Sequence, residues 1–172
     1  MAAIGLEAFV ASAGVLASPA IAADQVAESP AATTEFVASR RRKRDASFRA
    51  QVLAAYDQRC AVSGFQALLG GTLFCLEAAH VHWHSHGGPS TVANGLALTP
   101  TLHKLFDHGA WSLDDSRRVI VSIQFSGSDV ALGELRALEG RPLRAPAPGY
   151  APLDLACIRW HREAELGGVF RN

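Results

Sequence analysis

The chain has 172 residues, 49% of them apolar and 19% charged, enough for one buried core and too apolar for a disordered polyelectrolyte. Sixteen Lys and Arg balance sixteen Asp and Glu, so no overall positive field announces nucleic acid, and any contact with phosphates must come from charge arranged locally. Cys60, Cys75 and Cys157 are odd in number, widely spaced and form no C-x-x-C pair, which excludes a disulfide framework and a four-cysteine zinc site and favours a reducing, cytoplasmic setting.

The first 23 residues, MAAIGLEAFVASAGVLASPAIAA, end in the small-x-small form of a cleavage site at Ala20-Ile21-Ala22. No positive residue precedes the apolar part, Glu7 lies near its start, and Pro19 with repeated Ala, Gly and Ser dilutes it, so a secretory signal is disfavoured. No run of about 20 strongly apolar residues is present, so no membrane association is expected. From Asp24 to Ser39 the composition is a mixture dominated by Ala, Ser, Thr, Pro and Val, followed by Arg40, Arg41, Arg42, Lys43 and Arg44. Residues 1–44 therefore read as a low-complexity, disordered segment or linker. Its basic run is either a solvated charge patch or an arm that grips phosphate beside the folded domain, residues 45–172.

Asp45 can cap a helix whose apolar positions Phe48, Val52, Leu53 and Tyr56 recur at helical spacing. After turns at Asp57 to Gly64 and at Gly70-Gly71, Thr72 to Val81 reads as a strand. Trp83 to Ala93, with Gly87, Gly88, Pro89 and Ser90, reads as a loop, and Gly95 to Leu98 as a return strand. Thr99 supplies a capping hydroxyl and Pro100 a first helical position for a short helix over Pro100 to Asp107. Beyond it, Trp111 to Leu113 and Arg118 to Phe125 form a hairpin with Val119, Val121 and Ile123 on one face. A helix follows over Val130 to Leu138, then a proline-rich passage from Pro142 to Pro152, and a last helix capped by Asp154 that runs to Leu166.

The chemistry-bearing residues gather on the strand, loop, strand and helix in the middle. His80 ends one strand, Asn94 begins the next, and His103 and Asp107 stand at i and i+4 on the helix, where they share a face and can point at one cation. An imidazole nitrogen with a carboxylate oxygen suits Mg²⁺, Mn²⁺, Ni²⁺ or Zn²⁺. Phosphodiester hydrolysis needs a base to activate water and a cation to absorb charge on the phosphate, and a histidine beside one metal meets both needs. Each residue has a plainer reading: His80 as a core histidine, Asn94-Gly95 as a turn pair, and His103 and His108 as residues suited to a helix end. Trp83 reads as cover for the loop. In LEAAHVHWHSHGG, residues 76–88, four histidines alternate, but only His80 has partners downstream. His82, His84 and His86 fall on a loop with none.

His80, Asn94 and His103 resemble the His-Asn-His set that names the HNH endonucleases, whose core is a ββα-metal finger. The likeness runs from Arg44 to Ser122, through FRAQVLAAYDQRCAVSG, LEAAHVH and NGLALTPTLHKLFDHG, and returns in the tail at LEGRPLRAP and RWHRE. It is similar to the HNH domain of bacterial restriction endonucleases. The resemblance implies an α+β fold: a ββα-metal finger with an added N-terminal helix, a following β-hairpin and C-terminal helices. It implies His80 as the general base, Asn94 as a residue that holds the loop, orients the base or touches the metal, and His103 with Asp107 as metal ligands. The implied activity is metal-dependent DNA cleavage of restriction type, as single-strand cuts or as double-strand cuts made by a homodimer, with specificity absent or supplied by a separate reader domain or subunit. Lys104 on the helix joins Arg41, Arg42, Lys43 and Arg44 as residues expected to meet phosphate.

One position departs from the family. Many HNH enzymes place an acid or histidine immediately before the base, and here Ala79 stands there. Glu77 points with Ala79 in a regular strand, away from His80, so no replacement is evident from the sequence. Ala79 is the feature that favours a catalytically inactive HNH-fold module that binds nucleic acid. A secreted nuclease toxin is the reading to adopt if the N-terminal segment is cleaved.

Overall fold

The computed structural model describes Thr34, residues 46–163 and residues 166–172. The cap at Asp45, the basic run and the apolar N-terminal stretch lie outside these residues. Helix α1 covers 46–55 and buries Phe48, Val52, Leu53 and Ala55, with Tyr56 following at its end. Strands β1 (Ala67–Leu69) and β2 (Thr72–Phe74) form a hairpin around Gly70 and Gly71, whose φ angles of 56° and 78° suit glycine. Strands β3 (Glu77–His80) and β4 (Gly95–Leu98) pair antiparallel with Glu77 opposite Leu98 and His80 opposite Gly95. Helix α2 (Pro100–Asp107) leaves β4 directly, with the Thr99 hydroxyl accepting from the Leu102 N–H at 3.4 Å and proline in the first turn.

A second hairpin, β5 (Trp111–Leu113) with β6 (Val119–Val121), follows, then α3 (Asp129–Arg136) and α4 (Leu155–Arg162). Strand, strand and helix in the middle, with one helix before and a hairpin and helices after, is the α+β architecture expected from the sequence. Buried residues from α1, β3, β4, α2, β5, α3 and α4 form one core. The Trp111 indole donates to the Leu102 carbonyl at 3.0 Å and packs on Phe106 with ring centroids 4.6 Å apart, which seats the hairpin on α2. Leu143, Arg144 and Ala147 of the proline-rich passage donate backbone hydrogen bonds to Arg117, Ala61 and Ala55, so the passage is strapped over the core.

Several boundaries differ from the expectation, each for a local reason. The single strand over Thr72 to Val81 is two strands, broken where Cys75 adopts φ 57°. Ile123 lies past β6 and is exposed, while Val119 is buried. Helix α3 begins at Asp129, because the Ser128 hydroxyl accepts from the Ala131 N–H and so acts as the cap. The last helix stops at Arg162, and the Gly168, Val169 and Phe170 N–H groups turn back onto the carbonyls of Glu163 and His161.

Candidate functional site

The face of β3 that carries Glu77 and Ala79 looks toward α2. Ala79 is fully buried, while Glu77, paired opposite Leu98, stands at the strand end within reach of His103 in α2. There the Nδ1–H of His103 donates to Glu77 Oε2 at 2.7 Å. The other ring nitrogen, Nε2, faces Asp107 Oδ2 at 3.5 Å, one helical turn on. That separation is too long for a hydrogen bond and matches two ligands that each sit about 2.0–2.2 Å from one divalent ion. Chemistry and spacing therefore fit a cation held by His103 and Asp107. Among the described residues no group of three or more His, Cys, Asp or Glu side chains converges on one metal position, so water or phosphate oxygens would have to fill the rest of the shell.

The opposite face of β3 carries His80. Its ring lies flat on Phe48 of α1, with centroids 3.9 Å apart and planes inclined by 15°, and its Nε2 meets the Ser90 hydroxyl at 3.1 Å. The ring is part-exposed, and His84 of the loop stands 5.7 Å from it, centroid to centroid. Phe48 comes close because the partner of His80 across the hairpin is Gly95. A side chain at Gly95 would collide with Val52 and Phe48. Gly95 is extended at φ −123°, so Asn94-Gly95 is not a turn pair and the glycine is there for close packing.

Asn94, just before β4, is fully buried. Its Oδ1 accepts from the His82 N–H at 2.7 Å, and its Nδ2 donates to the carbonyls of His82 and Pro89, both at 2.9 Å. The amide is thus committed to the backbone of the loop between β3 and β4. Of the three roles open to Asn94 from the sequence, this geometry is that of holding the loop, while metal ligation would need the same buried oxygen.

The chain leaves β3 after His80, and the later histidines of the tract, expected to lack partners, do have them. His82 stacks on Trp160 of α4 at 4.3 Å and donates from Nε2 to the His86 carbonyl at 3.0 Å, and His86 and Trp83 pack against Trp160 at 5.6 and 5.9 Å. These three residues anchor the loop to the last helix. Trp83 serves as cover, with its indole N–H buried and unpaired. Gly88 completes the loop, since a side chain there would run into the His82 carbonyl.

A further histidine, His161, was not singled out by the sequence. It is fully buried, stacks on Phe106 at 3.6 Å, receives the Ser112 hydroxyl on Nδ1 at 2.8 Å and donates from Nε2 to the Phe106 carbonyl at 3.1 Å. Burial pushes its pKa down to about 4, the bond to Phe106 opposing weakly, so the ring is neutral at physiological pH and braces the end of α2. Lys104 is exposed on α2 beside His103, and His108 is the exposed C-cap of that helix. Arg41, Arg42, Lys43 and Arg44 lie outside the described residues. The structure thus gathers Glu77, His103 and Asp107 into one cluster and His80, Ser90 and Phe48 into another. Strand alternation puts Glu77 on the face it shares with Ala79, away from His80, and its partner there is His103 of α2.

Residues 60–114 match the family model of the HNH endonucleases. The solved structure of a modification-dependent TagI restriction endonuclease is similar to this chain with a TM-score of 0.55 and 27% sequence identity, over 72% of this chain and 39% of that one. The chain therefore spans well under half of that protein. No curated protein matches.

Proposed function

We propose, from the premise that residues 60–114 are a domain of the HNH endonuclease family, that this nuclease hydrolyses DNA phosphodiesters with the help of one divalent cation and serves restriction-type defence. The approach of His103 Nε2 to Asp107 Oδ2, 3.5 Å on one part-exposed helix face, carries the reading, because it pairs an imidazole nitrogen with a carboxylate oxygen at a separation that two ligands of one ion would have. A bound Mg²⁺, Mn²⁺, Ni²⁺ or Zn²⁺ would supply a positive centre for the charge that develops on the phosphate and the leaving oxygen.

His80 takes the proton of the attacking water. An imidazole can do so at neutral pH, and His80 stands at the strand end where the resemblance expects the base. Ser90 and Phe48 hold its ring in one orientation, the hydroxyl at Nε2 and the phenyl beneath. Asn94 keeps the loop that carries Ser90 in place, and Lys104 with Arg41, Arg42, Lys43 and Arg44 meets the DNA backbone. Recognition of sequence or modification falls to a further domain or subunit, and a homodimer would cut both strands. The protein acts in the cytoplasm. Among the described residues no helix is long and apolar enough to cross a membrane.

The purified protein is expected to nick or linearise plasmid DNA with Mg²⁺, Mn²⁺ or Ni²⁺ and to stop with EDTA or with His80→Ala. The second reading, a noncatalytic nucleic-acid-binding module, is favoured by Ala79 alone. Retained DNA binding without cleavage of modified or unmodified DNA under every one of those metals would establish it.

A further inference from the structure

We infer that Glu77 is the positioning residue of the metal centre, orienting His103 for the cation and standing in for the acid that Ala79 lacks. The inference rests on the reading of His103 and Asp107 as metal ligands and adds a third residue that acts through the first. Side chains two apart on a strand share a face, so Glu77 projects from the same side of β3 as position 79, one repeat nearer the start of α2. From there it reaches the ring nitrogen of His103 that turns away from Asp107.

The consequence for the imidazole is specific. With Nδ1–H donating to Glu77, the neutral ring carries its lone pair on Nε2, the nitrogen that faces Asp107. A metal-ligating histidine that gives its other N–H to a carboxylate has a fixed tautomer, a fixed ring plane and a more basic ligating nitrogen. As a surface ion pair alone the contact would contribute little to stability. The two carboxylates also balance the charge of a divalent ion held by Asp107 and the imidazole, Glu77 acting from the far edge of the ring.

The test is titration of MnCl₂ into the metal-free full chain by isothermal calorimetry, for the native protein and for Glu77→Ala, Glu77→Gln and His103→Ala, with melting temperatures in EDTA measured alongside. Glu77→Ala is expected to weaken Mn²⁺ binding by about tenfold to a hundredfold, the range for lost outer partners of metal-bound histidine. Its metal-free melting temperature should stay unchanged. Glu77→Gln, which can still accept the Nδ1–H bond without the charge, should lose less, and His103→Ala should lose binding. Native affinity in Glu77→Ala with binding abolished in His103→Ala overturns the role of Glu77 and leaves the metal site standing. Equal Mn²⁺ affinity in the native protein and His103→Ala overturns the site itself and this inference with it. Should Glu77→Ala fail to fold, Glu77→Gln decides, and an affinity within about twofold of native overturns the proposal.

Discussion

Asn94 and His82 are joined by a reciprocal pair of hydrogen bonds, the amide oxygen taking the His82 N–H and the amide nitrogen giving to the His82 carbonyl. A third bond to Pro89 O makes the side chain a clamp across both ends of the loop. Because Asn94 is fully buried, deleting the amide strands three backbone groups away from water. Asn94→Ala is expected to cost about 2–4 kcal/mol in urea unfolding, and the loss of activity should exceed the loss of folded protein because Ser90 rides on the same loop. Asn94→Asp should be worse than alanine, since it sets a buried carboxylate against two carbonyl oxygens. A variant at position 94 with native stability would remove the clamp from the account.

His161 makes stability depend on pH in a defined window. Its folded pKa of about 4 lies below the unfolded value of about 6.5, so above the unfolded value the ring is neutral in both states and the folded state has its full advantage. As pH falls from about 6.5 toward 4, the unfolded chain binds a proton that the folded chain excludes, and stability drops by about 3 kcal/mol at about 1.4 kcal/mol per unit. His161→Phe keeps the stack on Phe106 but leaves the Ser112 hydroxyl unpaired, so it should lose about 1–3 kcal/mol at pH 7.5 while flattening the acid limb. Denaturant midpoints across pH 4 to 7.5 measure both effects, and an acid limb unchanged in the variant assigns the proton uptake elsewhere.

Legibility followed the range of the signal. The ββα unit was readable because its cues are local: Thr99-Pro100 opens α2 within two residues, and His103 and Asp107 declare a shared face by spacing alone. Glu77 was half legible. Strand alternation placed it with Ala79, but nothing local says that the chain, six residues after Asn94, turns a helix back over that face. Cys75 breaks the strand through a positive φ that a non-glycine residue does not advertise. The loop histidines looked unpartnered because Trp160 lies far downstream, on the helix that RWHRE turned out to build. His161 in that motif was invisible as a brace, since its partners Ser112 and Phe106 are joined to it only by the closed fold.

The division of labour among the histidines can be read from paired assays. His80→Ala should lower plasmid cleavage by about a hundredfold to ten-thousandfold, the usual contribution of a general base, with little change in stability. Ser90→Ala should cost far less, about tenfold or below, because it loosens the ring without removing it. Trp160→Ala removes the platform beneath His82, Trp83 and His86 and should destabilise by about 3–5 kcal/mol, whereas His82→Ala and His86→Ala each lose one stacked ring and should cost about 1 kcal/mol. If His82→Ala abolished cleavage while leaving thermal stability and the metal titration intact, chemistry would have to be reassigned within the tract.

A cation held by His103 and Asp107 should stabilise the folded chain, because the i,i+4 pair exists only once α2 has formed. At a concentration one hundred times the dissociation constant, binding to the folded state alone adds about 2.7 kcal/mol. For a chain of this size that corresponds to a rise in melting temperature of about 5–10 °C. Asp107→Ala should remove most of the rise, and Asp107→Asn should keep part of it, since the amide oxygen is a ligand without the charge. Lys104→Ala, on the next residue from His103 but exposed, should leave the metal-induced rise unchanged while weakening DNA binding and lowering its salt dependence. Melting curves in EDTA and in Mn²⁺ separate the effects. An equal rise in the native protein and in Asp107→Ala would place the ion elsewhere on the chain and take the carboxylate out of the site.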